Sequence, residues 1–483
     1  MRLTYSEGYE RKPRLYPWLR TKDDRLDSTG LLIGPYDQME LELPRGEVVI
    51  YEPFWFRSFH LIRLEIETVK NGAELVAVKA TQVNYPFHVK AEWENESDID
   101  SDKILDVSVR TMRNCMLDGY SDCPFYEQLQ YAGDTRFVAL FHYLLTGDDR
   151  LARQAITLFA ASVTPIGLLQ SRVPSHVQQL IAGFSLYRTL MVSDHHLFFG
   201  DTGFTRSFIP IVDGILDYFD RHIDGYGLVS GIEDDVWQYV DWTTSWSPAP
   251  GQWDKGVPNS GRKSNRHTFF SLLYAYVLVE ASDLLMVVGR IGQVEVYRTR
   301  AANINQAVRE HCFDGSLFTD STEDIADPNA YSWHCQVFAV LSGAATDPKM
   351  LLLNAQKKQG IAVCSYAMKF YEFRALSVAG LYDDRFPAMF DPWRKMLANN
   401  LSTWAEDDVR QRSDCHAWSA APIYENFVEL AGVYPSKPGS EAITFRPRVN
   451  LSGSVKSRVC LGTTRWQLSY GRLRAKMVER RSC

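Results

Sequence analysis

Two short stretches of this chain concentrate the side chains that acid–base chemistry needs. Residues 121–136 read SDCPFYEQLQYAGDTR and set Asp122, Glu127 and Asp134 within thirteen residues, with Tyr126 and Tyr131 between them. Residues 401–426 read LSTWAEDDVRQRSDCHAWSAAPIYEN and carry Glu406 behind Trp404, then His416 and Trp418. Two carboxyls facing one cavity are what glycoside hydrolysis requires: one protonates the leaving oxygen, and the other activates water or attacks the sugar carbon. A third stretch, residues 236–253, holds four tryptophans within seventeen residues. It is too polar and too broken by proline for a core helix, so it reads either as a stacking wall for sugar rings or as a packed loop. Spacing alone leaves equally plain readings for the acids. Asp134 also suits a helix N-cap, Glu127 a surface charge, and the Glu406 stretch a solvated acidic loop.

Composition narrows the function classes. The net charge is −7, and no run of Lys or Arg marks a nucleic-acid footprint. The most apolar stretch, Leu272 to Val288, is interrupted by Glu280 and Asp283 and reads as a buried helix, so no membrane span is expected. The eight cysteines are scattered and form no CxxC pair, so no zinc site is suggested. The opening residues MRLTYSEGYERKPR lack the apolar core of a signal peptide. A cytosolic chain with free thiols is the expectation, unless a further segment precedes this start. Aromatic residues make up 13 % of the chain, enough both for a large core and for sugar platforms.

The elements that must hold the acids follow from periodicity. Residues 1–101 are expected to form a partial β-sandwich, with strands in LELPRGEVVIYEPFWF, FHLIRLEIETV, AELVAVKATQV and FHVKAEWE. The pattern then turns helical: Leu105, Val109, Met112 and Met116 fall on one helix face. Helical segments follow, among them 137–145, 177–192, 267–289, 294–311 and 386–399. A weak repeat pairs FHYLLTGDDRLARQAI with HHLFFGDTGFTRSFIP, placing Gly147 and Gly200 at the same point of a helix–turn–helix plan, with a related turn at Gly380. Six hairpins of roughly fifty residues fit residues 102–433, which predicts a mainly α fold with an (α/α)6 barrel, a six-hairpin toroid. Residues 434–483 turn β again, in ITFRPRV, GSVKSRVCLG and TRWQLSYGRLRAKMV, and are expected to form a small C-terminal β domain.

Taken together, the three chemical stretches resemble glycoside hydrolase family 78, the α-L-rhamnosidases. DCPFYEQLQYAGDTR is similar to that family's DCP…E…GD signature, STWAE to its loop bearing the base, and SDCHAWSAAPIYEN to a segment with a sugar-contacting histidine. Asp241 and Trp242 resemble a further pocket segment. The likeness extends over nearly the whole chain, through FWFRSFHLIRLEI, LLQSRVPSHVQQLIAGFSL and SYAMKFYEFRALSVAGLYDD. It implies an inverting α-L-rhamnosidase acting on rhamnose-containing glycosides or oligosaccharides. Glu127 would be the general acid and Glu406 the general base. Asp122, Asp134 and His416 would bind sugar hydroxyls. Tyr131 and Trp242 would shape the apolar side of the deoxy sugar. The chemistry needs no metal or organic cofactor. The acid would have to stay protonated near neutral pH, which burial and the neighbouring Asp122 and Asp134 would favour. Two departures stand out: a common version of the signature has Arg at the position of Tyr126 and Trp at that of Tyr131. The rival readings are another glycosidase or a polysaccharide lyase on the same barrel, which an Arg or Lys facing the pocket would favour, or a non-catalytic sugar-binding homologue.

Overall fold

The computed structural model describes residues 1–12, 20–44, 46–68, 72–96, 99–246, 256–322, 330–409, 411–452, 454–462, 464–471 and 474–480. It is mainly helical, with small sheets at both ends of the chain. The helices are α1 (Ile99–Asn114), α2 (Ala132–Thr146), α3 (Arg150–Ala161), α4 (Ala182–Phe199), α5 (Thr202–Arg221), α6 (Asn259–Ser264), α7 (Thr268–Val287), α8 (Ile291–His311), α9 (Trp333–Ser342), α10 (Pro348–Lys357), α11 (Lys369–Val378), α12 (Tyr382–Met389), α13 (Asp391–Ala398) and α14 (Pro422–Tyr424). The last of these runs directly into a π-helical turn, Glu425–Leu430.

Two kinds of helix alternate. Every residue of α2 is buried, and α7 is apolar on nearly every side. Helix α3 instead buries only Leu151, Ala152, Ala155, Ile156 and Phe159, one face of an amphipathic helix. The enclosed helices pack in succession: α2 on α4, α4 on α7, α7 on α9, α9 on α11, and α14 back on α2. The Phe370 ring lies 5.0 Å from that of Tyr424, joining α11 to α14. Tyr371 of α11 meets Phe137 of α2 at 5.5 Å, Tyr187 of α4 at 5.8 Å and Phe338 of α9 at 4.9 Å. One aromatic side chain therefore touches helices that are far apart in sequence. Helix α7 is long and apolar enough to cross a bilayer, but it lies against α4, α8 and α9.

The repeat in the sequence marks real helix ends. Gly147 closes α2 and Gly200 closes α4, each with φ near 69° (68° and 69°) in the left-handed region that glycine adopts without strain. Each also sits against backbone, Gly147 on Gly462 and Gly200 on Gly439, where a Cβ would stand 2.5 and 2.8 Å away. These turns dock the C-terminal strands onto the helices.

The N-terminal part is less regular than its alternation predicts. Strands β1 (Arg2–Ser6), β2 (Tyr9–Glu10), β3 (Leu31–Leu32), β4 (Tyr36–Gln38) and β5 (Leu61–Glu65) form an antiparallel sheet ordered β4-β1-β5 and a β2-β3 pair. No strand forms among the described residues of 41–56 or 73–83, where Ile50 is 86 % and Val76 68 % exposed. Alternation marks a surface ready for a sheet, but a strand also needs a neighbour for its backbone groups, and these segments meet none among the described residues. The expected strand in FHVKAEWE does form, as β6 (Glu92–Asn95), but it joins the C-terminal sheet. After the short parallel pair β7 (Leu180–Ile181) and β8 (Val236–Trp237) come β9 (Val433–Pro435), β10 (Ile443–Phe445), β11 (Ser454–Leu461), β12 (Thr464–Gly471) and β13 (Arg474–Arg480). Their main sheet has the order β13-β12-β11-β6. The C-terminal sheet thus borrows its edge from the segment that enters α1.

A buried ionic cluster ties the N-terminal segment to the second chemical stretch. Lys22, 3 % exposed, reaches Glu7 at 3.0 Å and Asp414 at 3.2 Å, and donates to the carbonyl of Arg412 at 2.6 Å. Arg25 holds both oxygens of Asp414, at 3.0 and 2.8 Å. The Glu7 carboxylate accepts from the Asp414 N–H at 2.9 Å. Removing one partner from such a cluster strands buried charge, at a cost of about 3–5 kcal/mol. Lys22→Met should therefore lower the unfolding free energy by about that amount, measured by urea unfolding of the whole chain. An unchanged midpoint and slope would mean that the cluster does not brace residues 411–414.

Candidate active site

The first loop is built to present Glu127. It closes where the Asp122 N–H donates to the Leu129 carbonyl at 2.8 Å, while Asp122 Oδ1 accepts from the Leu129 N–H at 3.0 Å. The Cys123 thiol donates to Asp122 Oδ2 at 3.0 Å. Gln128 takes a left-handed φ of 56°, and its amide donates to the Pro124 carbonyl at 2.9 Å. Such a backbone costs roughly 1–3 kcal/mol in a non-glycine residue and persists where surrounding bonds fix it. Asp134 is the third residue of α2, whose N-cap is Tyr131, so it does not cap the helix. Gly133 beside it has no room for a side chain, since a Cβ would lie 2.7 Å from the Phe184 ring.

The second loop brings Glu406 to the first. The Trp404 indole donates to Ser108 of α1 at 2.8 Å, and its backbone N–H to Thr111 at 2.9 Å. The Glu406 N–H donates to the Ser413 carbonyl at 2.9 Å, and the Trp418 indole donates to the Glu406 carbonyl at 2.9 Å. His416 stacks on Trp418 with ring centroids 4.1 Å apart, and its Nε2 lies 3.6 Å from Asp134 Oδ2. Cys115, just past the end of α1, packs between the loops, its thiol 3.7 Å from the Asp122 carbonyl and its sulfur 3.9 Å from that of Cys415.

Arg412 joins the two carboxylates. Its Nη2 donates to Glu127 Oε1 at 2.5 Å, and its Nε stands 3.5 Å from Glu406 Oε2. Two C–N bonds of about 1.33 Å span one edge of a planar guanidinium, so these two oxygens are no more than about 8 Å apart. The other Glu127 oxygen accepts from the Tyr131 hydroxyl at 2.6 Å, and that hydroxyl accepts from Arg172 Nη1 at 3.1 Å. Glu127 is therefore neither a solvated surface charge nor held neutral in this state. Burial pushes its pKa up, but the Arg412 charge and the hydrogen bonds from Tyr131 and Arg412 outweigh burial and leave it below the ordinary value. The expectation of a protonated resting acid overlooked Arg412. The neighbouring acids, which Arg412 does not touch, behave differently. Burial, then the charge of Glu127, pushes Asp122 up to about 7. Burial, then Asp122, drives Asp134 well above the carboxylate range.

The structure thus gathers Asp122, Glu127, Tyr131, Asp134, Glu406 and His416 by direct contacts. Trp242 connects to them through rings: Tyr131 meets Phe184 at 6.2 Å, Phe184 meets Tyr239 at 5.9 Å, and Tyr239 meets Trp242 at 5.0 Å. Asp241 is engaged internally, accepting from Trp242 N–H at 2.8 Å and Ser365 N–H at 2.8 Å, with His334 Nε2 at 2.7 Å. It positions the loop rather than offering a free carboxylate. Of the tryptophans in the third stretch, Trp246 is fully buried and Trp242 is 8 % exposed, while Trp253 lies outside the described residues. That part of the stretch is a packed loop. Periodicity and motif reading missed Arg412 and Arg172. The signal available was a cation, Arg412, six residues beyond Glu406 in the same loop.

Among the described residues no group of His, Cys, Asp and Glu could hold a metal ion. Residues 93–343, more than half of the chain, match the model of the bacterial alpha-L-rhamnosidase 6 hairpin glycosidase domain. Similar solved structures include the family 78 rhamnosidase of Bacillus sp. GL1, 21 % identical, covering 82 % of this chain and 42 % of that one at a TM-score of 0.72. A rhamnosidase from Klebsiella oxytoca with rhamnose bound is 19 % identical, covering 69 % of this chain and 65 % of that one, with a TM-score of 0.58. The α-L-rhamnosidase of Dictyoglumus thermophilum is 14 % identical, covering 80 % of this chain and 44 % of that one, with a TM-score of 0.64. This chain spans less than two thirds of the length of each, and at these identities the likeness is one of fold. No curated protein matches the sequence. On the match over residues 93–343, the chain belongs to the bacterial α-L-rhamnosidase six-hairpin glycosidase family.

Proposed function

We propose that this protein is an inverting α-L-rhamnosidase that removes terminal α-L-rhamnosyl residues from glycosides or oligosaccharides. The observation that carries the reading is the meeting of Glu127 and Glu406, from loops almost three hundred residues apart, on the single guanidinium of Arg412. Inverting glycosidases place their carboxyls roughly 6.5–9.5 Å apart to leave room for a water, and the upper limit set by Arg412 is compatible with that spacing. The ring of helices α2, α4, α7, α9, α11 and α14 is read as the inner wall of an (α/α)6 barrel over residues 102–433. The segments 1–101 and 434–483 flank it as β-rich units, with β6 completing the second.

In this reading Arg412 also solves the problem of protonation. A sugar entering between the loops displaces Arg412 from Glu127. Burial is the largest influence on Glu127, so losing the cation raises its affinity for a proton, as a general acid needs. Arg412 then remains beside Glu406, its Nε 3.5 Å from Oε2. Glu127 gives its proton to the leaving oxygen while Glu406 draws one from water on the opposite face. Asp134 and His416 take sugar hydroxyls, Asp122 keeps the acid loop closed, and Tyr131 and Trp242 lie towards the deoxy face.

A polysaccharide lyase is the second reading, because an Arg does face the site. Arg412 would neutralise a uronate carboxylate and Tyr131 would be the base. Burial and the adjacent Glu127 push the Tyr131 phenol far up, which opposes that role. An unsaturated uronate product, detected by ultraviolet absorbance, would favour the lyase.

Glu127→Gln and Glu406→Gln should each lower kcat on a non-activated rhamnoside by about a hundredfold or more. An aryl leaving group should partly restore only Glu127→Gln. Near wild-type turnover by either variant would remove its assigned role. Arg412→Gln should move the alkaline limb of kcat/KM to higher pH, since the limb reports the acid of the free enzyme and Arg412 holds that acid low. An unmoved or lowered limb would contradict the pairing.

A further inference from the structure

The acid has a second cation behind it. A cavity of about 560 Å³ is lined by Leu129, Arg172, Pro174, Ser175, His176 and Val177. It contains no acidic side chain, and two of its six residues can carry positive charge. Arg172 is fixed there by backbone: it bridges Tyr131, Val173 N–H donates to the Gln130 carbonyl at 2.9 Å, and Ala132 N–H donates to the Ser171 carbonyl at 2.9 Å. The side-chain hydrogen bond of Arg172 goes from Nη1 to the Tyr131 hydroxyl. Its Nε is a buried donor without an acceptor, and among the described residues no carboxylate pairs with its charge. The Arg172–Tyr131 and Tyr131–Glu127 bonds run in series, so this guanidinium lies within about 6 Å of the acid oxygen.

We propose that this cavity is the leaving-group site and that Arg172 selects a leaving group bearing a carboxylate, so that the substrate is α-L-rhamnose linked to a hexuronic acid. The inference rests on Glu127 being the general acid, as proposed above. A general acid touches the glycosidic oxygen, so the sugar attached on the other side of that oxygen lies beside the acid, within one sugar ring of it. Leu129, Pro174 and Val177 offer an apolar floor for a ring. A guanidinium offers a planar fork that fits a carboxylate with two parallel hydrogen bonds. An arginine lacking a counter-charge at a cavity wall gains most from an anionic ligand.

The test compares kcat/KM of the whole chain on three substrates: an aryl α-L-rhamnoside, a rhamnosyl-hexuronic acid disaccharide, and the methyl ester of that disaccharide. The free acid should exceed its ester by about tenfold or more, the worth of one charge-assisted hydrogen-bond pair. The preference should collapse in Arg172→Gln and return in part in Arg172→Lys, chiefly through KM. Equal rates on acid and ester by the wild-type chain overturn the inference while leaving the rhamnosidase reading intact. A preference that survives Arg172→Gln, with both disaccharides slowed alike, overturns it in favour of an arginine that only positions Tyr131. Hydrolysis of none of the three overturns both readings.

Discussion

The site depends on one shared guanidinium. Four carboxyls, Asp122, Glu127, Asp134 and Glu406, crowd into a region where each is mostly buried or paired. Like charges so placed cannot all ionise without a cation among them. Arg412 is that cation for Glu127 and Glu406, while burial first, and the neighbouring carboxylates second, make Asp122 and Asp134 hold protons more tightly. The same contact distinguishes the two catalytic candidates. Glu127 depends on Arg412 to stay ionised against burial, so it is the group whose state changes when the contact breaks.

Much of the rest of the fold positions that contact. Helix α1 and the turn after it anchor both loops, through Trp404 on Ser108 and Thr111 and through Cys115, which lies beside Cys415 and the Asp122 carbonyl. The N-terminal segment reaches in from the other side, where Lys22 and Arg25 grip Asp414 and Lys22 takes the Arg412 carbonyl. Arg412 also lies over the Tyr126 ring, 5.1 Å from its centroid. Tyr126 stands where a common version of the family signature has Arg. Here a cation reaches the same neighbourhood from the opposite loop, with the tyrosine ring as its platform.

What the sequence made legible follows from which interactions are local. Helix existence was readable because burial repeats along one face within a segment, and Gly147 and Gly200 marked helix ends because a left-handed turn needs glycine at the turn itself. The acid loop stood out through its resemblance to a family signature, while spacing alone left Asp134 as a helix cap and Glu127 as a surface charge. The strands expected at 41–56 and 73–83 were misread because alternation is local while a ladder partner is not. Arg172 and Lys22 were missed for the same reason, since each matters through a contact with a distant segment, whereas Arg412 was signalled only by its place six residues beyond Glu406. Tyr131 was read as an apolar platform, but its hydroxyl links Glu127 to Arg172.

Stereochemistry tests the central claim most directly, that Glu127 and Glu406 act from opposite faces of a rhamnosyl ring. Proton NMR of a reaction on an aryl α-L-rhamnoside, followed from the first minutes, reads the anomer released before mutarotation. The account predicts β-L-rhamnose first, with the α-anomer growing in only as the sugar equilibrates. Initial release of α-L-rhamnose would contradict it, because the second carboxylate would then be a nucleophile rather than a base.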